Sequence, residues 1–221
     1  MELSPDDILR EMGYGKVKPE KVVLDTLSAI WEEVVAWARP VCTFRIMDGE
    51  TATSAILLEN HVIMNVGPVI AKLLSGSDRF ALFAATVGGG FQEFQQKIGG
   101  RGDMLAVYIL DTIGSCMVEK VGYEMELLLE KEIVGYSHTH RFSPGYCGWS
   151  LMEQKSLFGM LGENPCGISL SDVCMMSPIK SISGVIGIGQ DVQVRKYGCE
   201  ICRMETCYKR KNKTKNYDTN K

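Results

Sequence analysis

The spacing of apolar residues changes several times along the chain, and each change predicts an element. Ser4 stands before Pro5 and two aspartates: the serine caps a helix, the proline suits its first turn, and the carboxylates meet the positive end of its dipole. That first helix is expected to end near Gly13. Lys18 and Pro19 open a longer one, in which Val23, Leu27, Ile30, Trp31 and Val34 recur three and four residues apart until Pro40 stops it. The period then shortens. "VCTFRIM" and "SAILLEN" predict strands, with the acidic "DGET" as the turn between them. A helix is expected from Val66 to Leu74, and the apolar run "RFALFAATVG", bounded by Ser-Gly and Gly-Gly, predicts a buried strand.

Residues 103 to 132 read as one long helix, so apolar between Leu105 and Ile113 that it is expected at the centre of the molecule. Gly114 and Gly122 mark places where something packs closely against it. Asp111, Ser115 and Glu119 interrupt its apolar character at four-residue intervals and line one side, as either a solvated stripe or a ligand-facing one. Further on, "SLMEQKSLFGML" predicts an amphipathic helix, and "GISLSDVCMM" and "SISGVIGIG" predict strands. Helices and strands mix without a βαβ rhythm. The expected fold class is α+β: a single domain with a mixed, largely antiparallel twisted sheet, a long central helix and an N-terminal helical cap. Its parts are a helical region at 1–40, the main domain at 41–198 and a cysteine-containing basic tail at 199–221.

Composition narrows the setting. With 45% hydrophobic residues the chain can build a core, and no stretch of eighteen uninterrupted apolar residues predicts a membrane span. The start, "ELSPDDILREMG", is acidic where a leader would be basic and then apolar, so a cytoplasmic location is expected. The formal charge of −3 hides an asymmetry, because "KRKNKTKNYDTNK" at 209–221 holds six basic residues against one aspartate. The rest is clearly acidic, and the tail is expected to be a solvated end rather than a nucleic-acid contact.

Eight cysteines in so long a chain do not form the pattern of a secreted disulfide framework. Cys42, Cys116 and Cys174 lie in apolar or helical surroundings and are expected as small core residues. Two glycine-containing turns carry candidate chemistry. "TVGGGFQEFQQKI" has the strand, glycine turn and helix that can present N–H groups to an anion, yet it lacks both a Gly-Lys-Ser/Thr end and GxGxxG spacing; a tight turn is the expectation. In "RFSPGYCGWSL", Pro144 fixes its own φ, Ser143 is turned away from helix, and Gly145 can take angles closed to other residues. A guanidinium, an aromatic hydroxyl and approachable backbone meet at that turn.

The order of motifs from that turn onward resembles the activation domain of vitamin B12-dependent methionine synthase. That family carries Arg-x-x-x-Gly-Tyr, an amphipathic helix, a Leu-Thr-Glu-Ser-like strand and a Pro-x-x-Ser-Val-Ser/Thr strand. Arg141, Gly145 and Tyr146 match the first, and "LSDVCMMSP" and "SISG" the later two. The long helix before them also fits. The resemblance implies an S-adenosylmethionine-binding accessory protein for the reductive reactivation of cobalamin, in which cob(II)alamin accepts an electron and then a methyl group. The implied site residues are Arg141, Pro144, Gly145, Tyr146 and Ser183, with Asp111 and Glu119 from the long helix. Arg141 is expected either to fork onto the ligand carboxylate, to brace the turn, or merely to pair with an acidic residue of that helix.

Two features depart from the family. Val185, Ile186 and Gly187 stand where the long synthase form has Trp-Tyr-Phe, and no Asp-x-His-x-x-Gly cobalamin signature is present. The corrinoid is therefore expected on a partner, a methionine synthase or related methyltransferase subunit, served by a separate electron donor. Cys199, Cys202 and Cys207 resemble the cysteine ending of stand-alone members; three thiolates are one short of a closed zinc or iron–sulfur site, with Cys147, Cys166 or Cys174 as a possible fourth. The alternatives are an independent S-adenosylmethionine-dependent methyltransferase or corrinoid reductase, and a metal-stabilised interaction module.

Overall fold

A computed structural model describes residues 3–15 and 17–193. Helix α1 (Pro5–Glu11) begins at a reciprocal capping box: the Ser4 side chain accepts from the Asp7 N–H, and the Asp7 carboxylate accepts from the Ser4 N–H at 3.0 Å. Helix α2 (Lys21–Trp37) buries Val23, Leu27, Ile30 and Val34, the stripe its spacing predicts. Strand β1 (Val41–Thr51) then runs straight through the "DGET" expected as a turn. Asp48 and Glu50 are exposed, consistent with strand alternation, and Gly49 fits where a Cβ would stand 2.5 Å from the Leu57 carbonyl. The turn comes later, where the Ala52 N–H donates to the Ala55 carbonyl at 2.8 Å.

Strands β2 (Ile56–Leu58) and β3 (Val62–Met64) follow, then α3 (Gly67–Leu73), β4 (Arg79–Thr86), α4 (Gly89–Gly99) and the long α5 (Met104–Glu132). The chain continues through β5 (Ser137–His138), α6 (Gln154–Leu161), β6 (Ser169–Leu170), β7 (Met176–Ser177) and β8 (Ser181–Gly189). The main sheet has the order β3-β2-β1-β4-β8-β5, and every neighbouring pair is antiparallel. The "GISLSDVCMM" segment is not one strand. It folds back as the small β6–β7 pair, closed by the Ser171 N–H donating to the Met175 carbonyl at 3.0 Å, because the polar Ser171-Asp172 pair interrupts the alternation.

Strand β4 lies at the centre and is buried on both faces, as its unbroken apolar run predicts. Phe80, Leu82 and Ala84 face a core with α3, α6 and Trp149, whereas Ala81 and Phe83 face Met125 and Leu129 of α5 and Ile133 just past its end. A third cluster joins α1, α2 and α4 to the first half of α5 through Leu27, Ile30, Phe91, Phe94, Ile109 and Ile113. The glycine turn after β4 serves this packing. Gly88 has φ +98° and would bring a Cβ to 2.8 Å from the Arg39 carbonyl, and at Gly90 a Cβ would stand 2.5 Å from that of Trp37. Those close approaches to the end of α2 explain the glycines without a bound anion.

Candidate functional site

The "RFSPGY" loop is tied to the fold at both ends. Phe142 forms an isolated antiparallel bridge with Val185 of β8, its N–H donating at 2.9 Å and its carbonyl accepting at 2.8 Å. Gly184 makes that approach possible, since a Cβ there would run into the Phe142 carbonyl. At the far end, the Gly145 N–H donates to the Trp149 carbonyl at 2.8 Å and the Trp149 N–H to the Tyr146 carbonyl at 2.9 Å. Pro144 and Trp149 are buried beneath the turn, and Gly145 takes φ +95°. Tyr146 is left at the tip with 56% of its surface exposed.

Arg141, at the start of the loop, lies against α5. Its Nη2 stands 3.1 Å from Glu119 Oε2 and its Nε 3.3 Å from Glu126 Oε1. Between those two carboxylates is Gly122, whose missing side chain leaves the space that the guanidinium occupies. The expected pairing with the long helix is therefore present, and it is double. Glu126 was not singled out by the sequence, although its seven-residue distance from Glu119 returns it to the same helix face.

The same face of α5 holds a second cation. Lys180 Nζ lies 2.7 Å from Asp111 Oδ1 and donates to Ser115 Oγ at 2.9 Å. The Asp111, Ser115 and Glu119 stripe is thus met along its length by Lys180 and Arg141, forming a seam of alternating charge between α5 and the 141–146 and 177–181 segments. Asp111 also accepts from Gln95 Nε2 at 3.4 Å.

Ser183 is placed elsewhere. It is 2% exposed, and its Oγ accepts from Gln154 Nε2 at 3.0 Å, on the sheet face that carries Leu82 and Ala84. Arg141 approaches Ile182, whose side chain points to the opposite face. Among the family departures, Val185 and Ile186 are fully buried, and a side chain at Gly187 would strike the Ser77 hydroxyl. The sheet core occupies those positions. His138 places Nε2 3.3 Å from Glu130 and Nδ1 2.8 Å from the Thr139 carbonyl, away from the seam.

Cys199, Cys202 and Cys207 lie outside the described residues. Among those described, no group of three or more His, Cys, Asp or Glu is placed to hold a metal. Cys174 is buried with its Sγ 3.8 Å from Met152 Sδ, and burial, assisted by nearby Cys42, pushes the Cys166 thiol up to about 11. Also among the described residues, no helix is long and apolar enough to cross a membrane.

The sequence profile of the vitamin B12-dependent methionine synthase activation domain matches residues 65–213, two thirds of the chain. The protein belongs to this family. Among solved structures, it is similar to the MetH reactivation domain crystallised with AdoHcy, with a TM-score of 0.55 and 17% identity over 90% of this chain and 72% of that one. No curated protein sequence matches. The activation-domain profile spans the seam, the Arg-x-x-x-Gly-Tyr loop and β8, while α1, α2 and β1 precede it.

Proposed function

We propose that this activation-domain protein binds S-adenosylmethionine along the α5 seam and presents its methyl group to a corrinoid on a partner protein during reductive reactivation. The observation that carries this reading is the placement of Arg141, held beside Glu119 at the mouth of a glycine turn whose tyrosine is exposed. A ligand with a carboxylate, an ammonium and a flat adenine calls for a cation, an anion and an aromatic wall. Arg141, Glu119 and Tyr146 supply them; Pro144 and Gly145 shape the turn, Asp111 extends the polar lining through Lys180, and Ser183 supports β8 from behind. The similar reactivation domain is recorded with AdoHcy, the product that such a methyl transfer would leave.

A partner surface lies beside the seam. Tyr146, Leu151, Met152, Val173, Met175 and Ile179 are all exposed, and the Cys174–Met152 sulfur contact joins their two segments. This apolar rim suits a docking corrinoid subunit that would cover an otherwise open ligand. The reducing electron comes from a separate donor, and Cys199, Cys202 and Cys207 are proposed to hold zinc or an iron–sulfur centre completed by a fourth ligand. Their spacing supports that assignment, and metal analysis with a visible spectrum of the full chain tests it.

Calorimetric titration of the full chain with S-adenosylmethionine tests the central proposal. Saturable binding is expected, weakened by about 1.5–3 kcal/mol in Arg141→Ala if charged hydrogen bonds to the ligand are lost. Unchanged affinity in a folded Arg141→Ala variant overturns the role of Arg141. Methyl transfer to an acceptor without any corrinoid protein would instead favour an independent methyltransferase.

A further inference from the structure

The two glutamates that hold Arg141 are not equivalent. The Glu119 side chain is 65% exposed, whereas that of Glu126 is 17% exposed and Arg141 itself 21%. Glu119 meets an Nη nitrogen at the outer edge of the guanidinium; Glu126 meets Nε, next to the aliphatic stem. Gly122 sits three residues after Glu119 and four before Glu126, midway on the same helix face. Its missing Cβ is what lets the guanidinium lie flat across α5 and reach both.

We propose that Glu126 is the fixed positioning residue for Arg141, with Gly122 as its notch, and that Glu119 is the exchangeable partner displaced when a zwitterionic α-amino-acid group binds. This assignment rests on the ligand reading above and deepens it. In the free protein Glu119 keeps the outer Nη edge occupied by a carboxylate. An incoming α-carboxylate takes that place, and the released Glu119 accepts the α-ammonium, so every charge remains paired through the exchange. Nε stays on Glu126 throughout, which fixes the plane of the guanidinium and therefore the direction of the remaining N–H donors. A ligand bearing only one of the two charges would leave Glu119 or Arg141 without a partner. The site thus selects for a zwitterion rather than for a simple anion.

The clamp can be tested without ligand. The Nε–Hε resonance of Arg141, assigned by its loss in Arg141→Lys, is expected to be protected from exchange in the wild type and in Glu119→Gln, and unprotected in Glu126→Gln. Gly122→Ala, which fills the notch while leaving every charge in place, should remove the same protection. Persistent protection in a folded Glu126→Gln or Gly122→Ala variant overturns the assignment. Titration then separates positioning from general damage. Glu126→Gln should weaken S-adenosylhomocysteine about ten-fold or more, while 5′-methylthioadenosine, which lacks the amino-acid end, keeps its affinity. Equal losses for both ligands would also overturn the positioning role. If the wild type shows the protected resonance yet binds neither S-adenosylmethionine nor S-adenosylhomocysteine, the clamp stands and the cofactor reading falls.

Discussion

Gly184 and Arg141 show how single positions set this site. The "SISG" motif draws attention to Ser183, but it is the glycine beside it that admits the Phe142 carbonyl to β8 and so seats the loop. Gly184→Ala should cost about 1–3 kcal/mol, because strand and loop backbone cannot both yield; urea unfolding measures it, and an unchanged midpoint would show that the loop is held elsewhere. Cys166 offers a test by pH. Its raised value means that its stabilising contribution is complete below the ordinary thiol value of 9.0 and is lost as pH rises towards about 11. Between those values the unfolding free energy should decline more steeply in the wild type than in Cys166→Ala, and equal slopes would refute the shift. Glu126 was legible as a helix neighbour of Glu119, but not as a partner of Arg141, since fifteen residues of chain separate that pair.

Helix α5 serves three surfaces at once. Its first half joins the cluster with Phe91 and Phe94, its second half covers Phe83 and Ile186, and a third side carries the charged seam. A long apolar sequence with a few evenly spaced polar residues therefore describes it well. Gly114 belongs to the same economy: Phe91 and the Lys180 stem lie where its side chain would be. Leu129, fully buried against the sheet, should cost about 2–5 kcal/mol on truncation to alanine, read by thermal or urea unfolding. Loss of that contact also loosens the turn that carries Glu126, so ligand affinity should fall with it. Strand β1 shows where local reading gives way. "DGET" contains turn-forming residues, yet pairing of Gly49, Glu50 and Thr51 with β2 keeps the segment extended. The backbone bonds of the ladder outweigh the local preference.

Across the whole molecule, the charged seam of Arg141 and Lys180 and the exposed apolar side chains of Met152, Met175 and Ile179 draw on neighbouring stretches of chain, so the proposed function predicts that cofactor binding and docking are coupled. Met152→Glu together with Met175→Glu should abolish association with a corrinoid-bearing partner while leaving S-adenosylmethionine affinity in place. Pull-down or light scattering with the corrinoid protein, beside calorimetry, checks both halves. Retained association would show that the partner docks on another face. The rim was not visible in the sequence because its residues come from two segments about twenty positions apart, each too short to display an apolar period.

The two N-terminal helices, the central helix, the doubly buried β4 and the Arg-x-x-x-Gly-Tyr loop were determined by the sequence itself. Each depends on spacing within a short segment, where side-chain period and backbone restriction act directly. The tertiary structure decided what those segments meet. It sent Arg141 to Glu119 and Glu126, Lys180 to Asp111, and Ser183 to the face behind the sheet. A one-residue step along β8 separates Ile182 from Ser183, and with it the two faces of the sheet. That choice follows from pairing register and packing, which no local pattern contains.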